Sequence, residues 1–530
     1  MTRTARTRRL LSGMVLLAVV GTACAEADRP LEGDERPRVV LLVVDGLRPD
    51  YVTPELMPRL NALAESGVRG LAHHAAFPTV TRVNSPTLFT GRHPGGHGQL
   101  GNSVYLPEVV ADRVLDTGDR QDLLLIQEAM RGRILTAPSL GEMLDDAGRV
   151  FFAASSGSTG SGTLMNPTGA GAGLVHHAMT MPDSLGPVVD EVLGPVPDLE
   201  DAASGLPLVA RAIDALLRIG VDRGDADVLA AWLTEPDGTA HDTGMGSPET
   251  VAVLRGVDAE IGRLLDGLAE RGLLEQTNVV VASDHGFSTR VGEERLEDLL
   301  VEAGLKASEE SLDVVVASDA IHVREGGAER IEAIVELLQA TPWVGPVFTR
   351  AGEAGPDHGS VPGTASFAAI SWDHPRSADI LTSADWTDEE NAWGYVGSVL
   401  TPGVAGHGSS SPWDIRATFL AAGPAFRSGL RLEVPTGNVD LTPTAIHLVG
   451  APVPAHLDGR VLREILVGGP EPSTVAVVEE PVVVERVLDG MRLTLTPIER
   501  GVRYRLELER VRVGETRYLR GTAVERSPGR

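Results

Sequence analysis

Short aliphatic runs, several of them followed directly by a carboxylate, constrain the fold of this chain more than any other feature. The clearest runs occupy residues 38–45, 228–234, 278–284 and 417–423. Amphipathic helical patterns separate the runs, for example at residues 54–67 and 247–272. Strands without polar alternation are buried on both faces. The sequence therefore predicts an α/β fold with a mainly parallel central sheet and helices on both faces.

The charge of the chain limits its partners. The chain has 530 residues, enough to bury a large core, and its formal net charge is −28. A surface this acidic repels long polyanions, so we expect no nucleic-acid polymer as a partner. A small phosphorylated substrate is compatible with this charge, because a bound metal ion reverses the local field.

The first 25 residues have the pattern of an export signal. An arginine-rich start precedes an apolar segment at residues 10–20, which is too short to span a bilayer. Cys24, the only cysteine of the chain, follows and resembles the lipid-modified cysteine of bacterial lipoproteins. Cleavage after Ala25 or Ala27 is the alternative and would give a soluble secreted protein. We expect an exported protein of the cell envelope, attached to the membrane only through a lipid on Cys24.

Composition divides the rest of the chain into segments. Residues 26–37 are a polar tether, and residues 38–468 form the main domain. Within it, residues 310–400 mix short strands, a helix and glycine-rich loops, which predicts an inserted cap region. After a Gly/Pro linker, residues 473–526 alternate apolar and polar residues, which predicts a small antiparallel β unit. Because this unit contains no histidine, we expect it to be dispensable for chemistry.

Acidic and histidine side chains follow the predicted strands, where functional groups gather in open α/β sheets. The candidate metal ligands are Asp45, Asp237, His241, Asp284, His285 and His407. Asp237 and His241 are four residues apart and would share one face of a helical turn. Three Asp and three His without cysteine suit zinc better than manganese or iron. Each residue alone also fits a plain structural role, such as a turn or a surface pair.

A hydroxyl-rich segment at residues 75–105 contains a candidate nucleophile. Pro78 fixes the backbone just before Thr79, and a helical pattern follows. A hydroxyl at a helix N-terminus meets free backbone N–H groups and the positive end of the helix dipole, which favours attack on a phosphate. We therefore expect Thr79 to be the nucleophile and Thr81 to point away and bond back to the chain. An ordinary N-cap is the alternative role for Thr79.

Six short motifs follow one another along the chain. They are D-G-L-R at 45–48, F-P-T-x-T-x-x-N at 77–84, T-G-x-x-P-x-x-H-G-x-x-x-N at 90–102, E-P-D-x-x-x-H at 235–241, S-D-H-G at 283–286 and G-H-G at 406–408. Their order and spacing resemble the nucleotide pyrophosphatase/phosphodiesterase branch of the alkaline phosphatase superfamily. The resemblance covers about residues 38–466. It implies an alkaline phosphatase-like catalytic domain that hydrolyses phosphoric esters with the help of metal ions.

The resemblance also implies a site with two zinc ions. One ion would be held by Asp237, His241 and His407. The other would be held by Asp45, Asp284 and His285, with the Thr79 hydroxyl as its fourth ligand. Asn102 corresponds to the family asparagine whose side chain donates a hydrogen bond to a phosphate oxygen, and a turn asparagine is the alternative.

The resemblance thus implies an exported phosphodiesterase or nucleotide pyrophosphatase. Its substrate would be a small phosphodiester or nucleotide-like compound, and the reaction would pass through a phosphothreonine. The segment after residues 149–155 lacks the lysine of related phosphomonoesterases and phosphonate hydrolases, which favours diesters. Arg82, one helical turn beyond Thr79, would contact the substrate phosphate, with a solvent-facing arginine as the alternative. Phosphomonoester or phosphonate hydrolysis stays open as another activity, and so does a metal-containing binding lipoprotein without catalysis.

Overall fold

The computed structural model describes residues 38–199, 203–223, 226–488 and 501–528. The predicted signal peptide, the tether and Cys24 lie outside the described residues. Among the described residues, no helix combines the length and the apolar character that crossing a membrane requires.

A nine-stranded sheet forms the centre of the fold. In spatial order its strands are Leu430–Leu432, Val68–Gly70, Phe419–Ala422, Thr277–Ala282, Arg38–Val44, Val228–Leu233, Phe151–Ser155, Gly173–His176 and Met179–Met181. The five strands from Thr277–Ala282 to Gly173–His176 are parallel, whereas Phe419–Ala422 and Met179–Met181 are antiparallel to their neighbours. The predicted α/β class with a mainly parallel sheet is confirmed.

Both faces of the central sheet are covered by helices, as the uninterrupted aliphatic runs predict. In Arg38–Val44, Val39 and Leu41 face one hydrophobic cluster, while Val40 and Leu42 face the other. Helices Thr81–Thr90, Leu140–Asp146 and Leu441–Leu448 contribute to the first cluster. Helices Pro58–Ser66, Leu206–Ala215 and Pro248–Glu270 contribute to the second. Side chains that alternate between two apolar layers leave no solvated face on this strand.

The remaining helices are short, apart from one in the predicted cap region. They are Pro94–His97, Arg120–Ala129, Thr159–Met165, Gly186–Leu193, the π-helix Leu216–Val221, Asp237–Thr243, Leu296–Glu302, Gly327–Ala340 and Pro412–Ile415.

The region predicted as a cap, residues 310–400, contains all seven strands of a second sheet. The seven strands of this sheet, in spatial order, are Val314–Ala317, Ala320–Val323, Ile380–Ala384, Val344–Thr349, Ala365–Ser366, Gly355–Gly359 and Ala351–Gly352. A separate four-stranded sheet consists of Trp386–Glu390, Val396–Val399, Ser288–Arg290 and Ala405–Gly406. In that sheet Ser288–Arg290 pairs with Ala405–Gly406, so it joins the segment after His285 to the segment before His407.

The last four strands form an antiparallel sheet, named here the C-terminal sheet. Its strands are Val477–Glu479, Val482–Leu488, Val502–Val513 and Thr516–Pro528. The hydroxyl of Tyr518 donates a hydrogen bond of 2.7 Å to Oδ2 of Asp440, and both side chains are buried. Burial raises the pKa of Asp440. The division of the chain into a catalytic domain and an accessory unit stays a prediction.

We predict that Tyr518→Phe lowers the free energy of unfolding by about 2 kcal/mol, because it removes a hydrogen bond to a buried carboxylate. Tyr504→Phe is the matched control, since the Tyr504 hydroxyl in the same sheet donates to the neutral carbonyl of Gly345. The control should lose about 1 kcal/mol. Urea unfolding of both variants measures the difference, and a smaller loss for Tyr518→Phe than for Tyr504→Phe would contradict the assignment.

Candidate metal centre

The predicted acidic ligands meet at one edge of the central sheet. Asp45 directly follows strand Arg38–Val44, and Asp284 follows strand Thr277–Ala282 two residues after its end. Asp237 begins helix Asp237–Thr243, just beyond strand Val228–Leu233. The three strands are adjacent and parallel, so their carboxyl ends lie side by side.

The histidines complete two groups of ligand atoms that share His285. Asp45, Asp284 and His285 form one group, and Asp237, His285 and His407 form the other, with the ligand atoms of each group within 4.8 Å of one another. Nε2 of His241 lies 3.5 Å from Oδ1 of Asp237. The rings of His285 and His407 stack with centroids 3.5 Å apart. All six predicted ligands therefore lie together.

Each of the three carboxylates leaves one oxygen without a hydrogen bond. Trp232 Nε1 donates to Oδ2 of Asp45 at 2.9 Å, and the Gly46 amide donates to Oδ1 of Asp284 at 3.1 Å. Oδ1 of Asp45, Oδ2 of Asp284 and Oδ1 of Asp237 are buried without any hydrogen bond. Buried carboxylate oxygens require a partner, and a cation is the partner that fits here.

The three histidines are turned toward these oxygens by the backbone. Their Nδ1 atoms lie 2.8–3.0 Å from the carbonyls of Ala405, Thr79 and Gly286, which can only accept a hydrogen bond. Nδ1 is therefore the protonated nitrogen of each ring, and Nε2 faces the carboxylates. Nε2 of His285 is 3.0 Å from Asp284 Oδ2, and Nε2 of His407 is 3.3 Å from Asp237 Oδ1. Metal-binding histidines are commonly oriented by such a hydrogen bond.

The electrostatics of the cluster also favour a bound cation. Burial, together with the negative charges of Asp284 and Asp237, raises the pKa of Asp45 well above its usual value. Burial alone would lower the pKa of His285, but the charges of Asp284 and Asp237, together with the hydrogen bonds that His285 makes, raise that pKa to about 9. Several carboxylates in a buried site repel one another unless a positive charge lies between them. Carboxylate oxygens and imidazole nitrogens are donors that suit zinc.

The hydroxyl that faces the cluster belongs to Thr81, not to Thr79. The helix begins at Thr81 with Val80 as its N-cap. The buried Thr79 hydroxyl donates to the carbonyl of Ser409 at 2.7 Å and accepts from the Gly408 amide at 3.1 Å. Thr81 Oγ1 lies 3.4 Å from Nε2 of His285. The expectation that Thr79 presents its hydroxyl and Thr81 points away is therefore wrong.

A cavity of about 450 Å³, named here the catalytic cavity, opens over the cluster. Its lining includes Thr81, Arg82, Asn102, Asp237, His241, Arg290, Asp319 and His407. The backbone amide of Arg82 donates a hydrogen bond to Oδ1 of Asn102 at 3.0 Å. The NH2 group of the Asn102 side chain therefore remains available as a donor to a ligand. Arg82 and Asn102 thus line the cavity beside Thr81, and their roles toward a substrate stay a prediction.

Sequence reasoning missed the carboxylate that holds the His407 segment. Asp414 is buried and accepts hydrogen bonds from the hydroxyls of Ser288 and Ser409 at 2.5 and 2.6 Å. Its backbone carbonyl accepts from the Gly286 amide at 2.7 Å. Asp414 therefore links the segments on either side of the cluster. The serines at 409–411 were the available signal, but serine-rich loops are common and say little alone.

The C-terminal sheet also contacts the segment after His407. The hydroxyls of Ser410 and Thr522 are 2.6 Å apart, and the Thr522 amide donates to the Ser410 carbonyl at 3.1 Å. Both side chains are buried. The C-terminal sheet thus supports the segment that follows His407, and the expectation that this unit is dispensable for chemistry stays a prediction.

The fold is thus an α/β sheet with two groups of candidate metal ligands, made of Asp and His, at the carboxyl ends of its strands. The sequence model of the type I phosphodiesterase / nucleotide pyrophosphatase family matches residues 39–386. The chain belongs to this family.

Curated relatives match about half of the chain. Venom phosphodiesterase of Macrovipera lebetinus is 25% identical over 275 residues, which are 50% of this chain and 27% of that protein. Ectonucleotide pyrophosphatase/phosphodiesterase family member 3 of Rattus norvegicus is 25% identical over 274 residues, or 51% of this chain and 27% of that protein. The chain thus spans about a quarter of the length of the curated relatives it matches.

A solved structure shares the fold. Murine ectonucleotide pyrophosphatase/phosphodiesterase 5, an inactive threonine-to-alanine variant in complex with AMP, aligns with a TM-score of 0.55 and 19% identity. The alignment covers 81% of this chain and 100% of that chain.

We predict that Thr522→Val lowers the free energy of unfolding by about 1 kcal/mol, because it removes a buried hydrogen bond. Bound metal should also be lost faster to a chelator, because Thr522 contacts the segment that carries His407. Thr522→Ser keeps the hydroxyl and serves as the control. Thermal unfolding and chelation kinetics check both effects, and equal behaviour of the valine and serine variants would refute the contact.

Proposed function

We propose that this chain is an exported metal-dependent hydrolase that cleaves phosphodiesters or nucleotide pyrophosphates. The observation that carries the proposal is the Thr81 hydroxyl beside the two Asp/His ligand groups, in a cavity also lined by Asn102 and Arg82. The named activities of the relatives support the same reaction class. The N-terminal export pattern supports a location in the cell envelope.

Two zinc ions fit the ligand set of this proposal. Asp237, His241 and His407 would hold one ion, and Asp45, Asp284 and His285 would hold the other. The orphaned carboxylate oxygens and the oriented Nε2 atoms support this assignment. When bound, such ions lower the pKa of a nearby hydroxyl and stabilise negative charge on phosphate oxygens.

Thr81 is the nucleophile of the proposed reaction. Its Oγ attacks phosphorus and forms an O–P bond while the bond from phosphorus to the leaving alcohol breaks, and the alcohol oxygen takes up a proton. Water then attacks the phosphothreonine, which releases a phosphate monoester and restores the Thr81 hydroxyl. A site that keeps the nucleophile and the substrate in contact converts an encounter between two molecules into a step within one complex.

Asn102 and Arg82 assist through their position beside Thr81. The backbone amide of Arg82 orients the Asn102 side chain, so the side-chain NH2 group of Asn102 is available to donate to a phosphate oxygen. A fixed donor of this kind stabilises charge that develops on phosphate in the transition state. The Arg82 guanidinium supplies positive charge at the same side of the cavity.

A small nucleotide-like compound is the proposed substrate. The murine relative is described in complex with AMP, which contains one phosphate and one nucleoside. The catalytic cavity of about 450 Å³ is large enough for a ligand of that size.

Phosphomonoesters are the second candidate substrate class. The cavity lining contains two arginines, Arg82 and Arg290, and a terminal phosphate dianion needs cationic partners of this kind. Turnover of bis-p-nitrophenyl phosphate, p-nitrophenyl phosphate and a phosphonate ester by the zinc-loaded protein decides between the classes. Hydrolysis of none of them would favour a binding protein without catalysis and would refute the proposal.

We predict that Thr81→Ala lowers kcat about a thousandfold or more, because it removes the attacking oxygen. Thr79→Ala should cost about fivefold in kcat, in line with the loss of a supporting hydrogen bond of about 1 kcal/mol. Steady-state kinetics at equal metal content provides the comparison. A larger loss in Thr79→Ala than in Thr81→Ala would return the nucleophile to Thr79.

We predict two zinc ions per chain in the purified protein and about one in His407→Ala, because that variant removes a ligand of one group. His358→Ala is the control, since His358 lies in strand Gly355–Gly359 and belongs to neither ligand group. Elemental analysis counts the ions. An unchanged zinc content in His407→Ala would remove His407 from the ligand set.

A further inference from the structure

A second cavity, of about 230 Å³, lies outside the metal centre and is lined by four arginines. We name it the arginine cavity. Its lining consists of Arg48, Pro49, Asp50, Val52, Arg69, Gly70, Leu71, Trp413, Arg416, Thr418, Phe419, Leu420 and Arg431. It shares no lining residue with the catalytic cavity. Asp50 is the single acid among these residues.

The arginine cavity is cationic although the chain as a whole is acidic, with a formal net charge of −28. Asp50 does not neutralise the three other arginines, because both of its carboxylate oxygens accept from Arg48, at 2.9 and 2.6 Å. The remaining lining is apolar or uncharged. Positive charge thus accumulates at one place on a surface that is otherwise rich in carboxylates.

Two of the arginines are direct neighbours across the sheet. Strands Val68–Gly70 and Leu430–Leu432 are parallel, and their register pairs Arg69 with Arg431. Like charges at paired positions of a sheet repel each other and are destabilising. Burial lowers the pKa of Arg69, and the positive charge of Arg431 acts in the same direction, while Glu65 opposes both. A bound anion would remove this repulsion.

Several guanidinium N–H groups in the arginine cavity have no hydrogen-bond acceptor among the described residues. Nε of Arg69 is buried without a hydrogen-bond partner. Arg416 donates to the Leu71 carbonyl through Nη2, at 3.1 Å, and so keeps further N–H groups. The Arg431 side chain makes no hydrogen bond or ion pair with any residue that the structure describes. Guanidinium groups with unused donors are typical binding groups for tetrahedral oxyanions.

We propose that the arginine cavity binds a tetrahedral oxyanion, either free phosphate or sulfate or the phosphate group of a small organic molecule. Arg416 and Arg431 supply the free donors, and Arg69 supplies additional charge. Trp413 and Phe419 provide apolar surface beside the anion. Arg48 connects this site with the metal centre, because it also donates to the carbonyl of Phe287, two residues beyond His285, at 2.7 Å.

Isothermal titration of the full metal-loaded chain with sodium sulfate, at constant ionic strength, tests the proposal. The double variant Arg416→Ala/Arg431→Ala should bind sulfate at least tenfold more weakly at this site than the wild type. The double variant Arg503→Ala/Arg517→Ala removes the same charge from exposed positions of the C-terminal sheet and should bind like the wild type. Any sulfate bound at the metal centre is common to all three proteins and cancels in the comparison.

Equal sulfate binding by the wild type and the Arg416/Arg431 variant would overturn the proposal, and so would no sulfate binding by the wild type outside the metal centre. If the variant does not fold, selenate soaked into wild-type crystals replaces it as the test. An anomalous peak between Arg416 and Arg431 is expected, and its absence would overturn the proposal.

Titration with AMP distinguishes the two sources of the anion. Tighter binding of AMP than of sulfate, lost in the Arg416/Arg431 variant, identifies an organic phosphate. Equal affinities in the wild type identify the free oxyanion. Both results are independent of the proposed hydrolase activity, because the titrations measure binding and require no turnover.

Discussion

The mutual repulsion of three clustered carboxylates, two of them on buried residues, is the constraint on which this structure depends. Asp45, Asp237 and Asp284 lie at one sheet edge because the strands that precede them are parallel neighbours. Each points one oxygen, free of hydrogen bonds, toward the same small region. The surrounding segments are arranged to hold the histidines against these oxygens, and positive charge in the region is what makes the arrangement stable. A cation bound at this cluster would therefore contribute to the stability of the fold as well as to the proposed chemistry.

Two segments that are distant in sequence, one around Thr79 and one around Asp414, hold His407 at this cluster. The His407 segment is bonded to Thr79 on one side, through His407 Nδ1 and through the Thr79 hydroxyl. Asp414 holds the same segment through Ser409 and reaches the Gly286 amide. Thr79, predicted as a nucleophile, therefore has a different place in the site: it fixes the loop that carries a ligand, while Thr81 faces the ligands themselves.

The sequence predicted the fold class and the proximity of the six candidate ligands, because both follow from local patterns. An aliphatic strand that ends in Asp is visible without knowledge of its neighbours, and parallel strands bring such ends together. The orientation of a hydroxyl, in contrast, does not follow from local sequence patterns. Whether Thr79 or Thr81 faces the cavity depends on where the helix begins and on the Gly408–Ser409 backbone, far along the chain. Helix starts predicted from sequence are uncertain by about two to four residues, at least as much as the separation of the two threonines. The arginine cavity could not be predicted from the sequence either, because it depends on the register that pairs Arg69 with Arg431.

The contact between Ser410 and Thr522 has a consequence for the order in which the molecule assembles. Thr522 belongs to the final strand of the described chain, and synthesis runs from the N-terminus. Asp45 and the other candidate ligands emerge from the ribosome before the strand that packs on the His407 segment. Contacts between such distant parts form late, because loop closure must precede them. All six candidate ligands are therefore present once His407 has been synthesised, whereas the contact that packs the His407 segment on the C-terminal sheet forms only after strand Thr516–Pro528 has been made.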